Sequence, residues 1–245
     1  MRKNTSYEWK KIFRKITPYL VLSVLALSVG VLCFSPSKQE ILTEGLQAQI
    51  YRTAGENASG VSLMFNVYSG TDEVYQILQI LEEFDAKATF FIGGCWADDN
   101  VACLRDIFIS GHEIGNHGYF HKDHDKLSVL ENQREIYTCN HFIELTIGVT
   151  PTLFAPPSGA YGNATLTACE VLQMKTILWS KDTIDWRDQD EKKIYTRATK
   201  NVQKGDFILM HPTKMTVAAL DDILAYYKTI DLIPITVSQN LQEIG

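Results

Sequence analysis

The sequence predicts an α/β protein, a distorted barrel of seven strand-and-helix units, and three observations carry that prediction. Short apolar runs alternate with amphipathic stretches from Gly60 onward, the pattern of repeated βα units. Two of those stretches show the same helical stripe at i, i+3, i+4 and i+7: Val74, Ile77, Leu78 and Leu81, then Leu220, Ile223, Leu224 and Tyr227. The residues that follow successive apolar runs are polar and chemically capable, as expected where barrel strands run out into loops.

In chain order, residues 1–15 form a basic tail. Arg2, Lys3, Lys10, Lys11, Arg14 and Lys15 against Glu8 give +5 there, leaving −11 for the remainder of a chain whose net charge is −6. An acidic body argues against nucleic acid as a partner. Residues 16–35 contain the uncharged run Ile16 to Phe34, long enough to cross a bilayer core. The basic flank puts the N-terminus in the cytoplasm and the rest outside the membrane. No A-x-A site follows, and Pro36 stands where cleavage would fall, so this is expected to be a retained transmembrane helix rather than a signal peptide. Residues 36–59 are polar and aperiodic and read as a stalk, which leaves residues 60–245 as the folded domain. Cys95, Cys103, Cys139 and Cys169 would lie where disulfides can form, but a domain of this size needs no staples and each is expected as a free thiol.

Strands are expected at 61–65, 88–92, 113–116, 152–154, 176–179, 207–210 and 233–237. Ser128 and Glu131 form a capping box that opens a helix running towards Leu145, and Asn163 is placed to cap the next one. Asn66, Val67 and Tyr68 follow the first strand, His117 and His121 the third, and Ala155 and Ser158 the fourth. Asp182, Asp185 and Trp186 follow the fifth, and His211 the sixth. Two histidines four apart can converge on one divalent ion if the chain turns at Gly118. Alone the pair carries little weight; its register with the other strand ends is what makes a site.

The phrases KATFFIGG, GHEIGNHGYFH, LFAPPSGAYGN, WSKDTIDW and GDFILMHP resemble, in order and spacing, the polysaccharide deacetylase family, also called NodB-homology or carbohydrate esterase family 4. MFNVYSG and CWADDN are most similar to its PdaB-like sporulation branch. The resemblance runs from Gly60 to Ile244. It implies a NodB barrel that removes the acetyl group from an N-acetylhexosamine in peptidoglycan or a chitin-like glycan. It also implies a divalent metal, zinc by preference, on His117 and His121. His211 would be the acid, held in its tautomer by Asp185, with the Ser158 backbone N–H as oxyanion donor and Trp186 and Tyr68 flanking the sugar.

The chain departs from the pattern at three positions. Active members carry adjacent aspartates, one as base and one as metal ligand, where this chain has Asn66 and Val67, and an arginine where it has Ala155. The base position at Asn66 is therefore degenerate, and the metal would be held weakly or not at all. Asp72 is the nearest replacement carboxylate, although its position reads as the first turn of a helix. The expectation is a membrane-anchored, exported, deacetylase-like protein acting on a cell-wall or spore-envelope glycan. The alternative is a catalytically inactive glycan-binding or structural relative.

Overall fold

The computed structural model describes residues 49–55 and 58–242; the basic tail, the expected membrane helix at 16–35 and the stalk up to residue 48 lie outside them. Among the described residues no helix is long and apolar enough to cross a membrane. Eight strands form one curled sheet: β1 (Ile50–Tyr51), β2 (Ser62–Val67), β3 (Thr89–Ile92), β4 (Glu113–Asn116), β5 (Leu153–Phe154), β6 (Lys175–Ile177), β7 (Lys181–Asp182) and β8 (Phe207–Met210). Their order is β1-β6-β5-β4-β3-β2-β8-β7 and every neighbouring pair is parallel. The helices are α1 (Thr71–Glu83), α2 (Gly94–Asp99), α3 (Val101–Ile109), α4 (Val129–Ile147), α5 (Asn163–Val171), the single turn α6 (Asp185–Asp188), α7 (Glu191–Thr199), α8 (Lys214–Thr229) and α9 (Val237–Gln242).

The period-2 alternation of a strand divides β2 between two layers. Leu63, Phe65 and Val67 pack with Phe90, Ile92, Ile208 and Met210 into the cluster that the helices cover. Met64 points the other way, into the inner cluster with Phe91, Phe207 and Ala155, and Asn66 lies on Met64's side. The predicted stripes of α1 and α8 are buried against the helix-side cluster. The Ser128–Glu131 capping box is present, and α4 stops at Gly148 in the left-handed region, φ 77°. Gly70, at φ 76°, opens α1 where a Cβ would come within 2.3 Å of the Pro212 carbonyl; only glycine lets the β2 and β8 loops approach so closely.

The structure corrects several expectations. Residues 233–237 do not form a seventh barrel strand. Val61 bridges Pro234 in isolation, Pro234 has no N–H to continue a ladder, and Thr236 and Gln239 then cap each other to start α9. The sheet instead gains two-residue strands at β1 and β7, and is a curled half-barrel rather than a ring of seven. β1 draws residues read as stalk into the fold: it pairs with β6, Ala54 is fully buried, and the Ala54 N–H donates to the Gly205 carbonyl at 2.8 Å. The α5 cap falls on Gly162, whose N–H donates to Thr165 Oγ1 at 3.1 Å, with Asn163 already inside the helix. All four cysteines of the described residues are free thiols.

Candidate functional site

The C-terminal ends of β2, β4 and β8 and the loops after β5, β6 and β7 enclose a cleft of about 600 Å³. Asn66, Tyr68, His117, His121, Ser158, Trp186 and His211 all line it, together with Ser69, Trp179, Asp182, Leu209, Pro212 and Thr213. A larger groove of about 710 Å³ between α7 and α8 contains no histidine.

His117 follows β4 and is buried, with Nδ1 at 2.7 Å from the Ala155 carbonyl. A carbonyl only accepts, so Nδ1 carries the proton and the Nε2 lone pair is free, the arrangement in which an imidazole binds a metal. Burial, reinforced by the neighbouring His121, pushes the His117 pKa down to about 3 and keeps the ring neutral. His121 stands 5.1 Å from the His117 ring, centre to centre, and 4.7 Å from Tyr68. The chain reaches it through Gly118 at φ 73°, and His121 itself is left-handed at φ 52°. Buried Glu135 of α4 holds this loop, accepting from the N–H of Tyr119 and Phe120 at 3.1 and 2.8 Å and from Lys122 Nζ at 2.7 Å.

Across the cleft, fully buried Asp185 accepts four hydrogen bonds. Its Oδ1 takes His211 Nδ1 and the Trp186 N–H, each at 2.8 Å, and its Oδ2 takes the His211 N–H and Thr216 Oγ1, each at 2.6 Å. His211 therefore has its proton on Nδ1 and an open Nε2, the state from which an imidazole can exchange a proton with a ligand. Arg197 secures the loop that carries Asp185 and Trp186, donating to the Thr183 carbonyl at 2.8 Å and to Asp188 at 2.5 Å. Ser158 sits at φ 57° and Ile184 at φ 54°. With His121, that makes three non-glycine residues in the left-handed region around one cleft, a kind of strain that collects at functional sites.

The three departures from the active-site pattern occupy different surroundings. Asn66 lies within β2, not after it, and among the described residues its Oδ1 is buried without a hydrogen-bond partner. Val67 is fully buried in the helix-side cluster and does not line the cleft. Ala155 is fully buried in the inner cluster, where no arginine side chain would fit without displacing neighbours. Asp72 is an exposed first-turn residue of α1, away from the cleft lining. Among the described residues no three His, Cys, Asp or Glu side chains converge as a metal site. Two imidazoles fall short of the three protein ligands a catalytic zinc needs, so the donor set does not fit the family's metal.

Sequence reasoning missed Trp179, Thr216 and Glu135. Thr216 was signalled by the Thr213-x-x-Thr216 spacing that caps α8. Trp179 and Glu135 had no comparable signal.

A curled parallel α/β sheet with paired histidines and a carboxylate-held histidine at the carboxyl ends of its strands defines the class of α/β proteins whose ligand cleft lies at that end of the sheet. Comparison with known proteins narrows the class. Residues 54–177 match the family model described as polysaccharide deacetylase, and the chain belongs to that family. It is 36% identical over 197 residues to the YlxY protein of Bacillus subtilis, covering 80% of this chain but 62% of that one. It is 32% identical over 181 residues to a peptidoglycan-N-acetylglucosamine deacetylase of Bacillus cereus, covering 71% and 84%. Among solved structures it is similar to a carbohydrate esterase family 4 pseudoenzyme of Bacillus anthracis, with 32% identity, TM-score 0.78, and coverage of 81% and 70%. A mutant of that pseudoenzyme, described as having restored enzymatic activity, matches at 30% identity and the same TM-score.

Proposed function

We propose that this chain is an exported, glycan-binding relative of the peptidoglycan deacetylases that keeps the sugar cleft and has lost deacetylase turnover. The single observation that carries the reading is Asn66. An amide stands where the reaction needs a base, and an amide cannot take a proton from water at neutral pH; a positioned base contributes about 10²–10⁴ in rate. Val67 and Ala155, both enclosed in packed clusters, support it by leaving neither a metal carboxylate nor a base-orienting cation at those two positions. The similarity to a pseudoenzyme of the same family points the same way. Tyr68 and Trp186, partly exposed at the rim, supply flat faces for sugar rings. His211, held by Asp185 behind it, offers a hydrogen-bonding wall.

In this reading residues 16–35 anchor the protein in the cell membrane with the N-terminus cytoplasmic, and the domain faces a cell-wall or spore-envelope glycan. The deciding experiment measures acetate release and binding together, using N-acetylglucosamine oligomers and purified peptidoglycan, with and without added zinc. Saturable binding without acetate above the buffer control is expected. Acetate release that scales with protein and disappears in His211→Ala would overturn the loss of turnover; absence of binding would overturn the glycan role. Protease added to intact protoplasts should remove the domain, and protection of the domain would reverse the topology.

A further inference from the structure

We propose that Asn66 makes the cleft a reader of the acetyl group, binding acetylated hexosamine in preference to its deacetylated form. The inference rests on the reading of the cleft as a glycan site and specifies what that site selects. Asn66 is 4% exposed, at the inner-face end of β2, and within the described residues its Oδ1 is buried without a hydrogen-bond partner. Several polar atoms that line the same cleft already have partners, while the Nε2 atoms of His117 and His211 stay open. His117 Nδ1 is bound to the Ala155 carbonyl, His211 Nδ1 to Asp185, Asp182 Oδ1 to the Ile184 N–H, and Thr213 Oγ1 to the Thr216 N–H. A buried amide oxygen with no protein partner is destabilising unless a ligand or an ordered water completes it.

The chemical complement of a primary amide is a neutral group that offers one acceptor and one donor side by side, which is what a secondary acetamide presents. A deacetylated sugar brings an ammonium instead, three donors and a full charge, into a wall built from His117, His121 and an uncharged amide. The carboxylate of Asp185 lies behind the lining and is already taken by four donors, which leaves Asp182 as the one acid among the described cleft-lining residues. The amide that stands in place of the base thus supplies a neutral hydrogen-bonding probe for the acetamide, the group that base-activated water would attack.

The test compares the affinity of the full chain for tetramers of N-acetylglucosamine and of glucosamine by titration calorimetry at neutral pH. The parent is expected to bind the acetylated tetramer at least about tenfold more tightly, the factor one good hydrogen bond supplies. Asn66→Leu, close in volume and relieved of the orphaned polar atom, should unfold at the same or higher denaturant concentration yet lose that preference. Asn66→Asp should shift the preference towards the glucosamine tetramer. Equal binding of both tetramers by the parent, or an unchanged preference in Asn66→Leu, overturns the reader and leaves the glycan-binding function standing. No binding of either tetramer overturns both.

Discussion

Placing aspartate at position 67, where active relatives have a carboxylate, should destabilise this protein more than it helps the cleft. Val67 is fully buried among Phe65, Phe90, Ile92 and Met210. Losing a completely buried valine costs about 2 kcal/mol. The incoming carboxyl has no partner in that cluster and will hold a proton to avoid burying a charge; keeping it neutral at pH 7 costs about 1.4 kcal/mol per unit above an ordinary value of about 3.9, or about 4 kcal/mol. The total is about 6 kcal/mol, comparable with the whole stability of many domains. A group whose folded pKa is raised loses stability as pH climbs above its unfolded value. The gap between Val67→Asp and parent should therefore be widest at pH 7 and shrink to about 2 kcal/mol near pH 4. Urea unfolding followed by tryptophan fluorescence at both pH values measures it, with and without zinc. Parental stability in Val67→Asp at pH 7, or a zinc-dependent rise in its midpoint, would show that position 67 faces the imidazoles and that the two-layer reading of β2 is wrong.

Three further outcomes follow from the packing. Asp185→Ala strands four donors, two of them backbone N–H groups, and should lower unfolding stability by about 3 kcal/mol or more; a loss below 1 kcal/mol would mean the loop re-forms its bonds elsewhere. A chain beginning at residue 47 should fold, whereas one beginning at Gly60 loses β1, buried Ala54 and the bonds to Gly205 and Leu178, and should be about 2–4 kcal/mol less stable in the same assay. His112 is held neutral, chiefly by burial and then by Lys87, with its pKa pushed down to about 4. The unfolded chain takes up that proton first, so this residue removes up to about 3 kcal/mol as pH falls from 6.5 to 4. His112→Asn, which can still accept from the Ala88 N–H, should flatten the acid limb of the stability profile; an unchanged limb would assign it to other groups.

What the sequence made legible was whatever repeats or sits at fixed spacing. The α1 and α8 stripes, the Ser128–Glu131 box and the strands that precede His117 and His211 were readable because each is a periodic or local signal. β1 and β7 were not, since two residues are too few to show alternation and their pairing partners lie far along the chain. Residues 233–237 misled because an apolar run does not reveal that Pro234 breaks the ladder, although Thr236-x-x-Gln239 was a cap in plain sight. The histidines of the cleft were identifiable by residue type. The isolation of Asn66 was not, because the absence of a partner depends on everything folded around it.

The division of β2 between two layers also bears on how such a site changes over generations. Positions 66 and 67 are adjacent in the gene yet answer to different demands, one to whatever enters the cleft and the other to the packing under the helices. A ligand in the cleft would constrain the first and folding constrains the second, so substitutions at the two positions should be limited by different demands. A saturation library should display that contrast directly, with position 66 accepting many residues at full expression and position 67 accepting few. With valine at 67, an acidic pair is reached only through a poorly folded intermediate unless the helix side is repacked first, so a loss of turnover at this site would behave as a ratchet.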